Sequence, residues 1–194
     1  MRAARSIDPL QVRNRIHPQV FGLYVSFASI MMMFVALTSG YVVRHAQGDW
    51  LEFAIPGYFY WSTAILLLSS VTLHLSYHYF MKNAEQLYKL LLVVSFILAT
   101  GFVVLQFQGW FALFANGVDL KANVSGSFFY LITGLHALHI LGGMAAITVA
   151  LIHAYTLPFV VTAKRRTRFK LVVHYWHFVD LLWVYLLVFL LLIK

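Results

Sequence analysis

The sequence predicts an all-α polytopic membrane protein: a bundle of five transmembrane helices with its N-terminus inside and its C-terminus outside. Three observations predict it. Of the 194 residues, 62% are hydrophobic and only 10% are charged, whereas a soluble domain carries about a quarter of its residues as Asp, Glu, Lys or Arg. The chain therefore cannot coat a surface that faces water. Its apolar residues also gather into five runs, each near the roughly 20 residues that cross a bilayer as a helix. Finally, the cations lie between those runs and not on a soluble face, so the net charge of +8 does not point to nucleic acid as a partner.

Residues 1–19 are polar and form a cytoplasmic N-terminal segment; residues 20–194 form the five-helix domain. Helices are expected over about 20–43, 57–80, 87–115, 127–157 and 171–193, joined by short polar linkers. The first run follows a long polar stretch and exceeds the apolar region of a cleavable signal, so it is expected to insert uncleaved. Orientation follows from Lys and Arg. Eleven fall in the inner segments (Arg2, Arg5, Arg13, Arg15, Lys82, Lys89, Lys164, Arg165, Arg166, Arg168 and Lys170), against Arg44, Lys121 and Lys194 outside. Cytoplasmic loops carry such an excess.

The chain has no Cys. That excludes disulfides, iron-sulfur clusters, thiolate zinc or copper sites and covalently attached c-type haem, and leaves His, Met or carboxylate for any metal.

An ionisable group in hydrocarbon is costly and is a functional hypothesis by default. Of the six acids, Asp8, Asp49, Glu52, Glu85, Asp119 and Asp180, only Asp180 lies well inside an expected helix, ~14 Å from its inner end at the helical rise per residue. It needs a partner or a proton. His174 and His177 share its helix, His136 and His139 lie on the fourth helix, and His74 and His78 lie on the second; His136 or His139 is the expected partner. Trp176, Asp180 and Trp183 fall at i, i+4 and i+7, which sets the acid between two indoles that can donate hydrogen bonds.

The His set has three readings. Pairs at i, i+3 and i, i+4 share a helix face and suit a metal; pairs on facing helices suit axial ligation of haem; and either can hydrogen-bond between helices. On the fourth helix Gly142, Ala146 and Ala150 recur every four residues, with Gly134 and Gly143 adding small surface, a pattern that lets helices approach closely.

The run Tyr175-Trp176-His177-Phe178-Val179-Asp180, followed by Trp183, resembles the closing signature of subunit III of the haem-copper respiratory oxidases. The fourth helix, with Gly126-Ser127, Phe129, Thr133-Gly134, His136, His139 and Gly142, is similar to that family's other characteristic segment. Weaker matches are Pro56, Ser62-Thr63, Leu67-Leu68 and Ser70 in the second helix, and Gly101-Phe102, Gln106 and Trp110 in the third. The resemblance runs from about Leu23 to the C-terminus. It departs where many members carry a Glu after Ser in the first of these helices, because Ser29 is followed here by Ile30, and where an acid often precedes Trp, because Gly109 precedes Trp110. Larger members also have an N-terminal helix pair, separated from the other five by a lipid-filled cleft, which this chain does not match.

The resemblance implies a non-catalytic accessory subunit of a proton-pumping cytochrome c oxidase in the cytoplasmic (inner) membrane of a bacterium. Haem and copper would sit in partner subunits and none in this chain. Subunit I would be the direct partner and subunit II would share the complex, with room for a larger respiratory supercomplex. Stabilising subunit I, holding phospholipid and supporting proton uptake would be its contributions. The polar network would comprise His136, His139, His177, Asp180, Trp176 and Trp183. Alternatives are a quinol oxidase subunit III, a di-haem membrane cytochrome b and a proton-coupled transporter centred on Asp180. The last more often shows repeats or helices broken near the midplane, whereas Pro56 and Pro158 fall at helix ends.

Overall fold

The computed structural model describes residues 18–48, 50–119 and 123–193. Among them the chain forms five long helices: α1 (Pro18–His45), α2 (Tyr58–Met81), α3 (Glu85–Ala115), α4 (Val124–Thr156) and α5 (Ala163–Leu192). Each is long and apolar enough to cross a membrane. Nearly all of the expected N-terminal segment lies outside the described residues, as do Asp8, Asp49 and six cations of the charge count: Arg2, Arg5, Arg13, Arg15, Lys121 and Lys194.

Local chemistry sets the helix ends. α2 closes in a Schellman turn: Asn83 takes φ 59°, its N–H bonds to Phe80 O, and Ala84 N bonds to Tyr79 O. α3 closes the same way with Gly117 at φ 82°, with Val118 N reaching back to Leu113 O. A residue past the helix end must turn left-handed to satisfy the last carbonyls, and Gly and Asn do so at least cost. α4 starts where the Asn123 side chain accepts from Ser125 N, and α5 where the Thr162 hydroxyl accepts from Arg165 N.

α5 corrects one expectation. Residues 164–170, expected as an inner loop, are its first turns. Lys and Arg are good helix formers, Thr162 caps the turn, and Arg165 donates to three carbonyls, those of His153, Pro158 and Val160. The apolar run marks where the bilayer begins, and the helix extends two turns further.

α2 and α3 form the tightest pair, an antiparallel hairpin joined by three residues. Small hydroxyl residues bind them. Ser69 Oγ donates to Ser95 O at 3.0 Å, Ser76 Oγ to Tyr88 O at 2.9 Å, Ser95 Oγ to Thr72 Oγ1 at 2.8 Å, and Gln106 Nε2 to Ser62 Oγ at 3.2 Å. Small polar side chains let membrane helices approach and then hold them. α4 and α5 sit between this hairpin and α1, which contacts only α4 and α5 among the described helices. Residues 50–57 cross one end of the bundle. Trp50 packs edge-on against Tyr41 at 4.7 Å, Phe53 against Phe129 at 5.5 Å, and Ser125 Oγ donates to Leu51 O.

Two glycines mark where helices touch. A Cβ on Gly109 would lie 2.6 Å from the Phe59 ring, and one on Gly143 would lie 2.9 Å from Trp176; one on Gly134 would meet nothing within 4 Å. Phe59 and Trp176 are fully buried, so neither ring can move aside. Gly109→Ala and Gly143→Ala should each destabilise the purified protein by about 1–3 kcal/mol, the usual penalty for overpacking. Thermal unfolding in mild detergent should show lowered midpoints for both and an unchanged midpoint for Gly134→Ala.

Candidate functional site

α5 carries two chemistries on adjacent edges. Trp176 and Trp183 point into the centre of the bundle, both fully buried. Trp183 stacks on the His136 imidazole of α4 with centroids 4.9 Å apart, meets Phe102 of α3 edge-on at 5.5 Å, and donates from Nε1 to Thr63 Oγ1 of α2 at 2.9 Å. One indole thus touches three other helices. Trp176 fills the space that Gly143 leaves. Neither indole is hydrogen-bonded to Asp180 among the described residues: Trp183 donates to Thr63, and Trp176 Nε1 is buried without a partner.

His136 is fully buried, and both its ring nitrogens lack hydrogen-bond partners among the described residues. Phe34 and Phe102 pack against it edge-on, each at 6.3 Å. It acts as a flat aromatic surface in the core. His139 donates from Nδ1 back to Leu135 O at 2.7 Å, and its carbonyl accepts from Tyr175 Oη at 3.0 Å.

The hydrogen bond expected between Asp180 and His136 or His139 is therefore not formed among the described residues. Asp180 lies instead on the α2 side of α5. It lines one groove with Ser70, His74 and His177; Ser70 Oγ is 2.6 Å from His177 Nδ1, and His177 Nε2 is 3.1 Å from His74 Nδ1. The helix period gives the reason. Position 180 stands 40° around the helix from Trp176 and 60° from His177, so it faces the boundary between the core and α2. The sequence placed His74 and His177 on two helices; the packing of α2 against α5 joined them.

Of the small residues expected to form a packing stripe on α4 (Gly134, Gly142, Gly143, Ala146 and Ala150), Gly143 makes the close approach. Gly142 is exposed, and a Cβ there would lie 3.6 Å from Tyr175 Oη, whereas Ala146 and Ala150 line a cleft of about 370 Å³ with Val149, His153, Arg165 and Arg168. The buried stripe of α4 runs through Ile132, His136, Ile140, Gly143 and Ile147, one position off the expected one. Sequence reading also missed the hydroxyl ladder between α2 and α3. Its signal was present in Ser62, Ser69, Thr72 and Ser76, spaced by three, four and seven residues.

No group of three or more His, Cys, Asp or Glu is arranged to hold a metal ion among the described residues.

Comparison with known proteins agrees with the motifs. The family described as "Cytochrome c oxidase subunit III" matches residues 53–193. A "Probable cytochrome c oxidase subunit 3" of Nocardia farcinica is 29% identical over 181 residues, covering 88% of this chain and 86% of the relative. The "Cytochrome c oxidase subunit 3" of Corynebacterium diphtheriae is 30% identical over 179 residues with the same coverage. That of Pan troglodytes is 32% identical over 127 residues, 66% of this chain but 47% of the longer relative.

The bond between Trp183 and Thr63 is open to a direct measurement. Trp183→Phe, Thr63→Val and the double variant should show a coupling of about 0.5–1.5 kcal/mol, the usual net worth of a hydrogen bond, in unfolding midpoints taken on the same preparation. Additive effects would mean that the indole acts by packing alone.

Proposed function

From the premise that the chain belongs to the cytochrome c oxidase subunit III family, we propose that it is a non-catalytic structural subunit that docks on the catalytic subunit of a bacterial terminal oxidase, steadies it and holds phospholipid beside it. It is a multi-pass membrane protein of five long apolar helices, and membership of the family implies partner subunits.

The observation that carries the structural role is how its polar residues are used. Ser70, His74 and His177 tie α2 to α5, and His136 serves as a packing surface for Trp183. These side chains hold helices together. The zero Cys count points the same way, because the copper and iron-sulfur sites of electron transfer draw on thiolates. Oxygen reduction would then belong to partner subunits, and the electrons would come from cytochrome c.

The lipid role rests on the cleft between α3, α4 and α5. Its walls are apolar (Ala146, Val149, Ala150, Leu157, Val172), and its mouth carries Arg165, Arg168 and His153. An acyl chain fits the walls and a phosphate fits the cations. Proton uptake near the inner membrane face is the further role that the resemblance implies. Asp180 is read here as a structural acid of the α2–α5 contact.

The orientation proposed puts the start of α5 inside. Lys164, Arg165, Arg166, Arg168 and Lys170 crowd its first two turns, and such a cluster is retained on the cytoplasmic side.

Two experiments test this reading. Solubilised in mild detergent from its own membranes, the tagged chain should bring down a haem- and copper-bearing catalytic subunit, while the chain separated from it should carry neither metal in stoichiometric amount. Stoichiometric haem or copper in the separated chain would overturn the non-catalytic role. For orientation, Arg166→Cys introduces the sole thiol at an exposed position. It should resist an impermeant maleimide applied to intact cells and react once the membrane is opened; ready labelling in intact cells would reverse the topology.

A further inference from the structure

The contact between α2 and α5 leaves a groove of about 310 Å³ on the outer surface of the bundle, lined by Leu67, Val71 and Leu75 and floored by Ser70, His74, His177 and Asp180. Val71 is 56% exposed and His74 is exposed, so the groove opens toward the bilayer. Asp180 is only 6% exposed, and its Oδ1 has no hydrogen-bond partner among the described residues.

Depth decides what can fill this groove. Ser70 lies at the middle of α2 and Asp180 close to the middle of α5, each ~16–18 Å from the nearer helix end at 1.5 Å per residue. Lipid head groups lie outside a hydrocarbon core about 30 Å thick, so only acyl chains reach this level. An acyl chain offers no hydrogen bond, and leaving a carboxyl and two imidazoles against it is costly. A helix that carries a polar side chain meets the need, because its own backbone bonds are closed and its side chain can reach the floor. The rim suits a helix as well: Leu67, Val71 and Leu75 stand at i, i+4 and i+8 on α2, and the neighbouring outer positions of α5 include Leu181, 70% exposed.

We propose that this groove is the seat of a transmembrane helix from another subunit of the oxidase, one that presents a hydrogen-bonding side chain within the membrane to the exposed His74 of the His74–His177 pair. The proposal rests on reading the chain as a subunit of that complex. It goes further in fixing which face of the five helices meets the partner and which chemistry the partner brings. Complementarity sets the side chain: Asp180 is almost wholly covered, so the polar group open to a partner is the exposed His74 imidazole, and a hydroxyl or amide, able to donate or to accept, would complete it.

A photo-crosslinking residue placed at Val71 or at Leu181, with Ile97 and Phe111 of α3 as lipid-facing controls at 61% and 71% exposure, tests the seat in native membranes. Irradiation followed by mild-detergent purification should give covalent adducts with a polypeptide of the oxidase at Val71 and Leu181 and only lipid adducts at the controls. Adducts at the groove with lipid alone, or with a second copy of this chain, would overturn the proposal. If the catalytic subunit co-purifies in that experiment, the subunit reading stands even as the groove assignment falls; if it does not, both fall. Val71→Trp probes the rim without touching the polar floor. It should lower retention in the complex roughly tenfold, the factor that corresponds to about 1.4 kcal/mol, while Ile97→Trp leaves retention unchanged. Equal retention for the two would also overturn the assignment.

Discussion

Inside a bilayer a polar side chain has no water to bond with, and this constraint organises the bundle around α2. That helix carries Ser62, Thr63, Ser69, Ser70, Thr72, His74 and Ser76 in less than five turns. Some of its hydroxyls bond back to their own helix, as Ser62 and Thr63 do to Phe59 O, a common solution for Ser and Thr in membrane helices. Others reach out. Ser69 and Ser76 hold α3, Thr63 holds Trp183 and Ser70 holds His177 of α5. Each such bond fixes the rotation of a neighbour about its own axis, which apolar packing alone leaves loosely defined.

The rotation of α5 follows from these bonds. With Trp183 tied to Thr63, its ring lies flat on His136, and Trp176 falls into the gap at Gly143. The core then becomes a block of interlocked rings. Phe59 packs on Phe129 at 5.3 Å, and Phe102 on Trp183 at 5.5 Å. α1 closes the far side through rings of its own, with Phe27 stacked on Phe178 at 4.1 Å and Tyr41 edge-on to Phe189 at 5.3 Å. Turning α5 this way also carries Asp180 to the boundary with α2. The placement of the buried acid is thus a consequence of the indoles on either side of it.

The two surface features bear on assembly at different depths. The cleft with Arg165, Arg168 and His153 lies at the end of the bundle where α4 runs into α5, within reach of charged head groups. The groove above Asp180 lies at mid-depth, beyond them. Charge at the membrane surface suits an anionic lipid, and unsatisfied polarity at the centre suits protein.

Much was legible in the sequence because its physics is local. Twenty apolar residues in a row must span, and a chain without Cys cannot build thiolate sites, whatever the fold. The run Tyr175 to Asp180 and the Gly and His pattern of α4 carried the family resemblance, and the matched residues 53–193 contain both. Helix ends were less legible where they leave hydrocarbon: α5 begins at Ala163, because Lys and Arg extend a helix as readily as apolar residues do. The surroundings of Asp180 were not legible. His74, His136, His139 and His177 were all chemically able to lie beside it. Which of them do so turned on the angle at which each helix faces its neighbours, set by hydroxyl bonds and ring packing between residues 23 to 147 positions apart. Composition and period determine that a helix crosses the membrane; only the packed tertiary structure decides its rotation, because that depends on every neighbour at once.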